Sequence, residues 1–395
     1  MSEYWYPLAS STWGEEEVEA ACAIVRSGRT TMGEEVAAYE REFAALFGAK
    51  HAVAVNSGSS ANLLMVAAQF YRSGTKRLRA GDEVVVPKMG WATTYAPLQQ
   101  HGLRLRFADV DRKLLLNYEA VEAAVTPLTK AVLVVNLLGN GPDLAALGRL
   151  CEHHHLALLE DNCEAMGLGW PGGLVGGTIG DCGSWSTFFS HHVSTMEGGI
   201  VTTNDDELYR VLLSLRSHGW TRGQPANSPH HRADPRAWEF VLPGYNVRPT
   251  EVQAAIGRAQ LRKLPDFLRN RRKNAAAFRE AFSDVPGVEV VEHGPLSAAF
   301  GHAFVLEPKC RASRDGLAAH LEAGGVETRR VVSGNFLRHA AAEYYQFSVA
   351  GYAPFGRRAD ELHDRGIMVG NHHYDCGDAI LRLRDVVREY LTAHG

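Results

Sequence analysis

Short apolar runs recur along the chain as far as about residue 220, each bounded by polar or glycine-rich residues. They are Ala52–Val55, Glu83–Val86, Ala131–Asn136, Leu156–Glu160 and Gly199–Thr203, rich in valine and leucine with little polar alternation. Runs of this length without alternation predict strands buried on both faces. Between several of them lie stretches with helical spacing of apolar positions: Gly33–Phe47, Ser60–Tyr71, Asp143–Glu152 and Asp206–His218. The alternation predicts an α/β fold with a mostly parallel sheet covered by helices on both sides. Ligands of such sheets bind beyond the carboxyl ends of the strands.

After Gly244 the pattern changes. Thr250–Phe282 reads as mainly helical, with Pro265 expected to kink or break it. Phe304–Pro308, an alanine-rich helix over Ser313–Ala323, the segment Val326–Val332 and a closing helix over Gly377–Thr392 follow. This predicts a large domain over residues 1–261, including an N-terminal arm, and a smaller α/β domain over 262–395.

Composition narrows the class. The chain has 395 residues, 45% hydrophobic and 22% charged, with a net charge of −4. That supports two packed domains and gives no basic surface for nucleic acid. The N-terminus lacks a signal-peptide pattern, and no apolar run approaches the roughly 18 residues that span a bilayer. A soluble, cytoplasmic protein is expected. The six cysteines form no C-x-x-C pair, and reduced thiols are expected. Histidines cluster at 153–155, 230–231 and 372–373 without zinc-site spacing, so no metal is expected.

Five stretches carry candidate chemistry. In Val55–Leu64, Gly58 lets a backbone approach a ligand, and Ser59 with the following helix amides can hold a phosphate; a plain turn with a serine cap gives the same pattern. In Val84–Tyr95, Trp91 follows a strand end and can either stack on an aromatic ligand or pack in the core. Asp161 ends a buried-type strand, with Glu164 three residues on; this suits a protonated ring nitrogen, a helix cap or a metal. Ser186–Gly199 holds a phosphate-type serine, Ser186, then His191 and His192, then Glu197-Gly198-Gly199. In Val241–Gly257, Asn246 and Arg248 precede a helix, as ligand contacts or as a loop cap and a surface cation.

In this order the five stretches resemble the fold-type I pyridoxal-phosphate enzymes acting on nucleotide-linked keto-sugars, the DegT/DnrJ/EryC1/StrS sugar aminotransferase group. The likeness runs from Tyr6 to the closing helix. It implies that Gly58, Ser59 and Ser186 cradle the cofactor phosphate. Trp91 would stack on the pyridine ring, Asp161 would pair with its nitrogen, and Glu164 would lie near its hydroxyl. Asn246 would reach the phosphate in a neighbouring subunit, which implies a homodimer with shared active sites. Members of the group carry a cofactor-anchoring lysine six residues before Glu-Gly-Gly; here that position is His191. No lysine occurs between Lys130 and Lys263.

The histidine resembles that of a subgroup, the nucleotide-sugar 3-dehydratases, whose pattern also fits Ser217–Arg222 and Gly334–Phe336. The resemblance implies pyridoxal or pyridoxamine phosphate held without a covalent bond. It further implies removal of the C3 hydroxyl of a nucleotide-linked 4-keto-6-deoxy sugar, with GDP as the nucleotide. L-Glutamate would restore the amine form and ammonia would be released, in deoxysugar biosynthesis of the kind that supplies colitose to lipopolysaccharide O-antigen. His191 would act as base and then acid, its ordinary pKa of about 6.5 suiting both. His218 is expected at the sugar or the proton-transfer site, and Arg248 at an anionic group of the substrate. An aminotransferase, and a cofactor-binding homologue without activity, are the competing readings. His192 has no assigned role beyond an orienting or structural one.

Overall fold

The computed structural model describes residues 4–232, 234, 238–351 and 357–394. Its strands are β1 (His51–Val55), β2 (Glu83–Pro87), β3 (Arg104–Ala108), β4 (Thr129–Val135), β5 (Ala157–Asp161), β6 (Cys182–Ser186), β7 (Gly199–Thr203), β8 (Val288–Val290), β9 (Gly301–Leu306), β10 (Phe347–Val349) and β11 (Gly366–Gly370). Eight form one sheet in the order β1-β7-β6-β5-β4-β2-β3-β10. All neighbours are parallel except β7, which runs antiparallel to both β1 and β6. A second, antiparallel sheet has the order β11-β9-β8. This is the mostly parallel α/β architecture of a fold-type I pyridoxal-phosphate enzyme.

Both faces of the large sheet are buried, which explains the unbroken apolar runs. Val84 and Val86 of β2 enter one core with Leu64, Leu98 and Leu212 from helices. Val85 points the other way, into a core with Val121 and Leu147. β1 divides similarly: Val53 and Val55 face the first core, while Ala52 and Ala54 pack with Phe43 and Trp185. Period-two alternation between two buried faces leaves no polar position to betray it.

Some elements differ from the sequence reading. β3 and β6 carry arginines or serines, and β10 is only three residues long, so their apolar signal is weak. The helix expected from Ser60 begins at Gly58 and is capped by Ser57, whose hydroxyl accepts from the Ser60 amide. Val326–Val332, read from sequence only as a segment of the mixed region, makes isolated bridges at Val326 and Arg329.

Pro265 does not break its helix, which runs unbroken from Glu251 to Phe282. Its first half packs with the large sheet through Ala254, Leu261 and Leu264, its end with the small sheet through Phe278 and Phe282. Packing at both ends compensates for the hydrogen bond that proline cannot donate. Position 261, the expected domain limit, thus lies inside one continuous helix. The six cysteines are free. No helix among the described residues is long and apolar enough to cross a membrane.

Candidate active site

A cavity of 370 Å³ opens at the carboxyl ends of β4, β5 and β6. Gly58, Ser59, Trp91, Asp161, Glu164, Ser186 and His191 all line it. The fold therefore gathers residues spread over more than a hundred positions, because parallel strands end on the same edge.

β5 ends in two adjacent carboxylates that face opposite ways. Glu160 points away from the cavity and accepts the amides of Gly177 (2.6 Å), Ile179 (2.8 Å) and Gly180 (2.6 Å). Asp161 points into it, 3% exposed. Its Oδ2 accepts from Asn62 Nδ2 (2.9 Å) and Thr94 Oγ1 (2.6 Å), and its Oδ1 from the Cys163 amide (3.2 Å). Among the described residues no cation pairs with it. A buried carboxylate so placed is suited to a cationic ligand group. Glu164 accepts the Leu138 amide at 3.0 Å, and burial raises its pKa above the usual carboxylate value. Among the described residues, no group of three or more His, Cys, Asp or Glu side chains is arranged to hold a metal ion.

At the opposite end, the helix Gly58–Ala68 points its first amides at the cavity. A Cβ on Gly58 would stand 2.5 Å from Ser186 Cβ, so only glycine lets this turn lie against β6. Ser59 donates to Thr93 Oγ1 at 3.1 Å, and Ser186 accepts the Phe188 amide at 3.3 Å. Helix amides and hydroxyls gathered here form an anion cradle.

His191 lines the same cavity. Its ring packs 5.2 Å from Phe300 and 6.0 Å from Phe188. Burial, with Arg271 and Arg329 nearby, holds its pKa down to about 4, well below the ordinary value expected from sequence. The ring is thus neutral at neutral pH, the state a base requires, but weaker than free imidazole. No lysine lines the cavity among the described residues.

Trp91 is 52% exposed at the rim, so it does not fill the core. The Arg329 guanidinium lies 5.5 Å from its ring. His218, Asn246 and Arg248 do not line the cavity within one chain. Asn246 bridges to Ser217 and accepts from Arg248 Nε at 3.0 Å, while Arg248 lies 5.3 Å from the Trp220 ring, which His218 also contacts. The sequence reading missed Arg329, Phe300, Asn62 and Thr94. Asn62 carried a faint signal, since a polar residue within the apolar run Ala61–Ala68 calls for a buried partner, whereas Thr94 lies in a helix with other polar residues. Phe300 and Arg329 lie far along the chain from Asn62 and Thr94 and carried none.

The cavity fits pyridoxal phosphate: an anion cradle at one end, an unpaired buried carboxylate at the other, and an indole at the rim. Residues 11–373 match the DegT/DnrJ/EryC1/StrS aminotransferase family, and the chain belongs to that family. A GDP-4-keto-6-deoxy-D-mannose 3-dehydratase of Yersinia pseudotuberculosis is 44% identical over 391 residues, covering 97% of this chain and 98% of that protein. The solved structure of the E. coli enzyme of that name, with bound hydrated PLP, has a TM-score of 0.92 and 43% identity, covering 97% of this chain and 99% of that one. Two further structures under that name hold GDP-perosamine, in a histidine-to-asparagine variant, and a trapped PLP–glutamate geminal diamine. Both have a TM-score of 0.92 and 43% identity and cover 97% of this chain and 100% of theirs.

Proposed function

We propose that this chain is a pyridoxamine-phosphate-dependent 3-dehydratase of a nucleotide-linked 4-keto-6-deoxy hexose, with GDP-4-keto-6-deoxymannose the favoured substrate. L-Glutamate restores the amine form of the cofactor, and ammonia leaves. The observation that carries this reading is His191, which stands in the cavity wall where the family's lysine would anchor the cofactor. The relatives named for this reaction supply the substrate class.

When bound, the cofactor supplies an amine for the sugar ketone and a ring that accepts electron density. Asp161 keeps the ring nitrogen protonated, with Asn62 and Thr94 fixing the carboxylate. Gly58, Ser59 and Ser186 hold the phosphate, and Trp91 covers the ring. His191, neutral at rest, takes a proton and returns one to the departing C3 oxygen. Arg329, with no ion pair among the described residues, is suited to a glutamate carboxylate.

We propose a homodimer in the cytoplasm, with Asn246 completing the partner's phosphate site and His218 and Arg248 near its substrate. The proposed cofactor domain is residues 1–261 and the small domain 262–395, with β10 (Phe347–Val349) returning to the large sheet. Incubation with pyridoxamine phosphate, glutamate and GDP-, CDP- or dTDP-linked 4-keto-6-deoxy sugars tests the reading. Ammonia and a 3-deoxy-4-keto product are expected, fastest with the GDP sugar. No turnover of any of the three would contradict it.

A further inference from the structure

His192 takes no part in the proposed chemistry, yet it is completely enclosed. Its Nε2 lies 2.9 Å from the Ala298 carbonyl oxygen. Burial, reinforced by Arg271, keeps the ring neutral. A neutral imidazole facing a carbonyl carries its proton on the facing nitrogen, so Nε2–H is the donor. The acceptor is itself held: the Ala298 amide donates to the Gly139 carbonyl at 2.9 Å, and the Phe300 amide to the Leu138 carbonyl at 3.0 Å. Gly139 has φ 87°, and a Cβ there would stand 2.4 Å from the Ala299 nitrogen. The segment is thus clamped between the turn Leu137–Gly139 that follows β4 on one side and His192 on the other.

The clamp ends in Phe300, whose ring forms part of the cavity wall. That ring lies 5.2 Å from His191 and 5.6 Å from His192. His191 Nδ1 is buried without a hydrogen-bond partner among the described residues. No bond on that nitrogen fixes the imidazole, so packing alone sets its direction.

We propose that His192 is a positioning residue for His191. By donating to Ala298, it holds the Phe300 ring against the His191 imidazole and fixes the direction of the nitrogen that moves the proton. The proposal rests on the functional reading only in taking His191 as the acid–base group.

His192→Leu removes the donor, while His192→Gln can place an amide N–H near the Nε2 position. His192→Leu is expected to lower kcat roughly 10–100-fold, the cost of a misplaced reacting group. KM for the sugar and the absorbance of the bound cofactor should stay unchanged, and His192→Gln should recover most of the rate. The imidazole NMR signals of His191, assigned by their loss in His191→Asn, are recorded without substrate on the same samples. They should be single and sharp in wild type and His192→Gln, and broadened or doubled in His192→Leu. That spectral result supports the positioning role even if wild type proves inactive as a dehydratase. Identical His191 signals in wild type and His192→Leu would overturn it, whatever the activity. Should His192→Leu fail to fold, Phe300→Leu is measured instead. It keeps the clamp but removes the ring, and unaltered His191 signals there would equally overturn the proposal.

Discussion

At the scale of single residues, the proposed chemistry turns on His191, which cannot form the imine that a lysine at its position would. An imidazole in place of a lysine leaves the cofactor without a covalent tether but keeps a proton acceptor in reach. His191→Asn should therefore keep cofactor binding and lose dehydration by about 10²–10⁴-fold, the usual contribution of a general base. Retained turnover in that variant, measured under saturating sugar, would remove His191 from the mechanism. Seven of the candidate site residues predicted from sequence line one cavity because each ends or follows a strand or begins a helix, where spacing and residue type are readable. The strength of His191 as a base was not readable. Its depressed pKa comes from burial and from Arg271 and Arg329, which folding brings in from far along the chain.

At the scale of elements, continuous apolar runs gave β1, β2, β4, β5 and β7, because both sheet faces are buried there. β3 escaped notice because Arg104 and Arg106 interrupt it: Arg104 is exposed, and the Arg106 guanidinium finds the Ala124 carbonyl at 2.7 Å. Pro265 misled for a different reason, since local propensity was outweighed by burial of the helix against two cores. Proline in a helix interior costs about 3 kcal/mol relative to alanine. Pro265→Ala should therefore raise stability by about 1–3 kcal/mol, read as a higher denaturation midpoint with an unchanged slope. A lower midpoint would mean that the helix needs the proline's geometry.

At the scale of the whole molecule, Arg271 is a buried cation held by the carbonyls of Phe300 and Asn371, with histidines around it. His191, His293 and His372 each have a folded pKa of about 4, with burial the largest cause. Unfolded histidines titrate near 6.5. Between these values the unfolded chain binds more protons, so stability is complete above about pH 6.5 and falls as pH drops toward 4. Thermal midpoints across that window should decline with acidity; a flat profile would mean that these rings charge without cost. The proposed dimer makes a second expectation at this scale. His191→Asn and Asn246→Ala, each defective alone, should regain activity when mixed, because one site of the mixed dimer is then intact. No gain after verified subunit exchange would place Asn246 in its own subunit's site or in none.

The fate of the glutamate nitrogen separates dehydration from transamination. Wild-type protein is given pyridoxamine phosphate, GDP-4-keto-6-deoxymannose and glutamate labelled isotopically at its amino group, and the label is located after complete turnover. Labelled ammonium with an unlabelled 3-deoxy-4-keto sugar is the expected result. Label retained in a stable 4-amino sugar would make the protein an aminotransferase and contradict the dehydratase reading.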